Sequence, residues 1–115
     1  MKEVSFVIRG TCQQFKFHLP YTKAQLKTVE IVFWQPENYD SQNNPFEITK
    51  TLEHCVGNSD DKELIVELTQ TETLAFHTKR KAWVQFRGLT TEDFAFASKP
   101  MSISVYPIKK ETVLQ

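Results

Sequence analysis

Three histidines, His18, His54 and His77, and two cysteines, Cys12 and Cys55, are the side chains of this sequence best suited to hold a metal or to act as nucleophiles. No two histidines stand at HxH or HxxxH spacing, which would bring two imidazoles to one ion, and the cysteines are too far apart for a CxxC knuckle. A site drawn from Cys12, His18, His54 and Cys55 would need four sequence-distant groups to converge in tetrahedral geometry. Satisfied or exposed side chains are expected instead. Cysteine catalysis needs a thiolate made by a nearby imidazole or helix N-terminus. On a strand, His54 and Cys55 would point to opposite faces and could not pair. The acidic cluster Asp60, Asp61 and Glu63 lacks the spacing of an EF-hand loop and is expected to be a solvated hairpin tip. Gly10, Gly57 and Gly88 belong to neither GxGxxG nor GxxxxGKS, so neither common phosphate cradle is present. The expectation is a binding or structural module with no cofactor, no metal ligands and no catalytic group, and not an enzyme.

What remains is chemistry of contact. The stretch Gln35 to Pro45 is rich in Pro, Asn, Asp and Ser and too poor in apolar residues to pack on itself, so it is expected as a surface loop, where function usually sits. Its candidate contact residues are Trp34, Gln35, Glu37, Asn38, Tyr39 and Asp40. Trp34 and Tyr39 could stack on sugar rings, although Trp34 is expected in the core and Tyr39 free. The 14 basic and 14 acidic side chains cancel, so no positive field exists for phosphates and no nucleic-acid partner is expected. No apolar run is long enough for a signal peptide or a membrane span, so a soluble chain with no membrane partner is expected. In a reducing cytoplasm both thiols should stay unbridged.

These residues are carried by segments that alternate at period two, the mark of half-buried strands. Phe15, Phe17 and Leu19 alternate with Lys16 and His18; Leu64, Val66 and Leu68 with Ile65 and Glu67; Ala82, Val84 and Phe86 with Trp83 and Gln85. Val29 to Trp34 is apolar on both faces, which marks a central strand. Adding Val4 to Ile8, Phe46 to Thr49, Phe94 to Phe96 and Met101 to Val105 gives about eight strands at sandwich-like spacing. Short helical turns are expected at Thr22 to Lys27 and at Thr69 to Phe76, where Thr69 and Glu72 stand at capping-box spacing. No linker or repeat divides the 115 residues, so the expectation is one domain, residues 1–115, all-β, an antiparallel immunoglobulin-like β-sandwich.

Arg9-Gly10-Thr11, the strands Phe15 to Pro20 and Val29 to Gln35, and above all the block Leu68 to Phe76 make the chain similar to small β-proteins of phages and prophages of Gram-positive bacteria. Gln85, Ser98 and the apolar tail Val113-Leu114 fit that resemblance in order; the segments Pro36 to Pro45 and Leu52 to Lys62 depart from it by being longer. The resemblance implies a virion structural or adaptor protein of the tail or baseplate, with no catalytic residues, made in the host cytoplasm and then part of the virion. Its partners would be other phage structural proteins or copies of itself. Two alternatives are a carbohydrate-binding module for host attachment, with a glycan as ligand, and a small cytoplasmic inhibitor of a host enzyme. For subunit contact the sequence offers the strand Met101 to Tyr106, whose outward face of Ser102, Ser104 and Tyr106 carries no charge to block edge pairing. The strand around Trp83, with Lys79, Arg80, Lys81 and Arg87 at its ends, is expected to be a better guarded edge.

Overall fold

Period-two burial carries the architecture. In β2 (Gln13–His18) Phe15 and Phe17 are buried while Gln14, Lys16 and His18 are exposed. In β6 (Glu63–Leu68) Leu64, Val66 and Leu68 are buried, and in β7 (Ala82–Thr90) Ala82, Val84, Phe86 and Thr90 are. The computed structural model describes residues 6–39, 45–56, 62–77 and 81–108. Its remaining strands are β1 (Phe6–Ile8), β3 (Leu26–Tyr39), β4 (Pro45–Thr51), β5 (Cys55–Val56), β8 (Ala95–Ala97) and β9 (Met101–Tyr106), with a short helix α1 (Gln70–Leu74) between β6 and β7. The chain is all-β.

The strands form two sheets. The larger runs β1-β9-β7-β3-β4, with β8 also paired to β7, and the smaller runs β2-β6-β5. Phe15 of β2 packs on Phe33 of β3 with ring centroids 5.1 Å apart, and Phe17 of β2 on Phe86 of β7 at 5.7 Å, so the sheets meet face to face through buried aromatic rings. β3 lies between β7 and β4, the central place expected of a strand largely apolar on both faces.

Three expectations are corrected here. Among the described strands the pairing is antiparallel except between β1 and β9, which run parallel. Neither β7 nor β9 is an edge: β7 sits between β9 and β3, and Ser104 and Tyr106 of β9 face Phe6 and Ile8 of β1. Charge pattern within a strand describes how an edge would behave, but which strand becomes an edge is settled by its neighbours. Finally, Gln35 to Pro45 is not one loop. β3 continues to Tyr39 and β4 begins at Pro45, with a register shift between Gln35 and Tyr39 that absorbs Pro36, a residue without the N–H a regular ladder needs. Polar composition does not separate such a hairpin arm from a loop.

Two short 3-10 turns, Lys23–Gln25 and Leu52–His54, and α1 complete the chain. The first and α1 fall where the sequence places helical turns. At α1 the capping box closes: the Glu72 N–H donates to Thr69 Oγ1 at 3.2 Å and the Thr69 N–H to Glu72 Oε1 at 2.9 Å. The β5 strand and the Leu52–His54 turn were not legible, being too short for any periodicity to register. Asp60, Asp61, Lys79, Arg80, Val113 and Leu114 lie outside the described residues.

Candidate functional site

The pleat turns one set of residues of the larger sheet to the outside, and the register aligns them in rows. Glu47 of β4, Trp34 of β3, Trp83 of β7 and Ser102 of β9 stand opposite one another in turn. The next row holds Thr49, Val32 and Gln85. Both tryptophans are half-buried. Trp34 is therefore not a core residue: its parity is that of Glu30 and Val32, opposite to buried Ile31 and Phe33. Toward β9 and β1 the same outward face carries Ser104 and Tyr106, with the Phe6 ring edge-on to Tyr106 at 6.1 Å. Phe6 and Tyr106 are among the exposed large hydrophobic side chains.

The structure thus gathers Trp34, Ser102, Ser104 and Tyr106 onto one face and adds Trp83, which the sequence did not single out. Its signal was there: Trp83 has opposite parity to buried Ala82, Val84 and Phe86, the position a polar residue usually takes. Gln35 leaves the set. It is fully buried, its Oε1 accepts from the His77 N–H at 2.7 Å and its Nε2 donates to the His77 carbonyl at 2.8 Å. A residue so placed ties β3 to the chain leaving α1 and offers nothing to a partner. Glu37, Asn38 and Tyr39 belong to the end of β3, and their side chains, like Asp40, lie outside the described residues.

Further along this face, Arg87 Nε approaches Glu30 Oε1 at 3.5 Å. Beside that pair, Thr28, Leu89, Ala95 and Ala97 line an open groove of about 580 Å³. It is hollow because β8 presents only methyl groups outward. Gln85 Nε2 donates to the Ser98 carbonyl at 2.9 Å, and Ser98 Oγ accepts from the Phe86 N–H at 3.0 Å, so these two residues hold the break between β8 and β9 against β7.

The smaller sheet turns a polar face outward. Lys16 and His18 both reach Glu63, at 3.6 and 3.5 Å, and Gln14 Nε2 donates to Glu67 at 3.5 Å. His54 Nδ1 accepts from the Thr51 N–H at 3.0 Å and caps its own 3-10 turn. Cys12 is exposed; Cys55 is buried, and burial pushes its thiol pKa up although Lys23 pulls the other way. Among the described residues no three His, Cys, Asp or Glu side chains gather where they could hold a metal ion.

Two blocks of sequence meet at one end of the sandwich. Arg9 Nη2 donates to the Leu74 carbonyl at 2.8 Å, and the N–H groups of Gly10 and Thr11 donate to Thr73 Oγ1 at 3.0 and 3.1 Å. Thr73 Oγ1 in turn donates to the Thr11 carbonyl at 2.8 Å. The Arg9-Gly10-Thr11 turn and the α1 corner are thus one structural unit. No protein-family model matches the chain, and no curated protein matches it.

Proposed function

We propose that this chain is a structural or adaptor protein of a phage or prophage virion, tail or baseplate associated, that works by protein–protein contact and without catalysis. The observation that carries the contact role is the cross-strand pair Trp34–Trp83 on the outward face of the larger sheet. Aromatic side chains held on a flat, rigid face lose little entropy on binding and are enriched at interface centres. The strand order supports an immunoglobulin-like sandwich, in which β9-β7-β3 widened by β1 and β4 corresponds to one sheet and β2-β6-β5 to the other. The virion assignment rests on the resemblance in sequence. Its two leading blocks, Arg9 to Thr11 and Leu68 to Phe76, lie against each other, as expected of a corner kept for its structure.

Mass spectrometry of purified virions from the phage or prophage encoding the chain tests this. Stoichiometric copies are expected, and the double variant Trp34→Ala, Trp83→Ala should lose incorporation while still showing a cooperative thermal transition, at a somewhat lower temperature. Absence from the particle would defeat the virion role.

The same pair favours a second function, carbohydrate binding. Two indoles flanked by the Glu47 carboxylate and the Ser102 hydroxyl combine apolar ring faces with hydrogen-bonding groups, which suits a sugar ring. Glycan-array binding that disappears in Trp83→Ala would select it; a blank array would remove it.

A further inference from the structure

The open edge of β2 is built to receive a strand. β2 pairs with β6 along all six residues without a bulge, and no other described strand lies beside it. β1, which immediately precedes it, crosses to the other sheet and pairs with β9. The direction of the unused backbone groups follows from the ladder. The Leu19 N–H donates to the Lys62 carbonyl at 2.8 Å, so in this antiparallel register the odd-numbered residues of β2 exchange bonds with β6. The N–H and C=O groups of Gln14, Lys16 and His18 therefore point away from β6.

Charged side chains at an edge usually screen such groups. Here they lean the other way. Lys16 and His18 reach back to Glu63, and Gln14 reaches back to Glu67, both residues of the neighbouring β6. Among the described residues, no strand and no side chain of β2 occupies the far side of this edge.

We propose that the chain associates with a second copy of itself by antiparallel pairing of β2 with β2 about a two-fold axis at Phe15. Of the two-fold registers that match outward-pointing residues, one centred on Gln14 overlaps only Gln13 to Phe15 within β2, and one centred on Lys16 sets two ammonium groups opposite each other. One centred on Phe17 brings Gln14 against Pro20, which has no N–H to give. The register centred on Phe15 places Gln14 opposite the Lys16 of the copy, twice. Gln14 Nε2 is engaged by Glu67, which leaves its Oε1 to accept from that ammonium. The joined outer surface then reads Glu67, Gln14, Lys16 of the copy, an acid-amide-base series. The formal net charge of zero adds no long-range repulsion between copies. The contact is independent of the virion role and stands or falls without it.

Sedimentation velocity of the full chain over a concentration series tests the pairing. A monomer–dimer equilibrium is expected. Lys16→Pro should abolish the dimer while leaving the circular dichroism spectrum of the monomer intact, since the lost N–H serves no bond to β6. Gln14→Lys, an exposed change that keeps a donor for Glu67, should weaken the dimer about tenfold by creating two like-charge pairs. The second variant decides the matter if the first does not fold. A strict monomer at every concentration, or a dimer that both substitutions leave unchanged, would overturn the proposal; the first result would assign the edge to a strand from a different protein.

Discussion

Gln35 and His77, 42 residues apart, are joined by two hydrogen bonds in opposite senses, the Gln35 amide accepting from the His77 N–H and donating to the His77 carbonyl. The amide acts as a piece of backbone toward the residue that follows α1. Gln35→Leu keeps a similar volume and removes both bonds, setting an apolar side chain against the His77 N–H and carbonyl. A loss of about 2 kcal/mol in unfolding free energy is expected, read from urea midpoints. A shift below ~0.5 kcal/mol, as surface substitutions give, would return Gln35 to the set of contact residues.

Thr73 holds the corner through one buried hydroxyl, which accepts from the Gly10 and Thr11 N–H groups and lies within donating distance of the Thr11 and Gln70 carbonyls. Thr73→Val preserves shape and strands the N–H groups of Gly10 and Thr11, so it should cost about 2 kcal/mol, more than the ~1 kcal/mol expected for the cap residue in Thr69→Ala. Phe76, buried and packed on Phe46 at 5.0 Å, should cost about 3 kcal/mol or more when cut to Ala. Gly10 sits at φ +80°, and a Cβ there would lie 2.7 Å from Ile108 Cδ1, so Gly10→Ala should also destabilise. Equal midpoints for Thr73→Val and the wild type would break the link between the two sequence blocks.

Stability should fall on acidification partly through Glu72. Burial alone would raise its pKa, but hydrogen bonds from Lys50 and Thr69, with the Lys50 charge, outweigh it and hold the carboxyl below the ordinary range. A depressed folded-state pKa means that the unfolded chain takes up the proton first. The contribution is thus complete above the ordinary carboxylate pKa of ~4.3 and is lost as pH drops through the lower folded value. The stability difference between wild type and Glu72→Gln should be constant near neutrality and shrink in acid. A difference that grows as pH falls would reverse the sign.

The two thiols should report separately. Exposed Cys12 is expected to react promptly with an aromatic disulfide reagent, and Cys55, buried and with its pKa raised by that burial, only on unfolding. The denatured total should be two. One slow thiol in the native protein and one missing after denaturation would mean that Cys12 is already blocked.

Much of the architecture follows from residue order alone. Period-two alternation in Phe15 to Leu19, Leu64 to Leu68 and Ala82 to Phe86 determines which face each side chain takes, because successive residues of a strand must point oppositely. The Thr69–Glu72 spacing determines the α1 cap, since both partners lie within one turn. Alternation is silent about neighbours. Whether β9 ends beside β1 or at an edge, and whether β7 lies inside the sheet, depends on contacts made across the whole chain and on closing long loops between them. The candidate site divides along the same line. That Trp83 points away from Ala82 and Val84 is local and readable; that it meets Trp34, and that Gln35 turns inward to His77, comes from a β3–β7 register and a corner position that only the packed sheets decide.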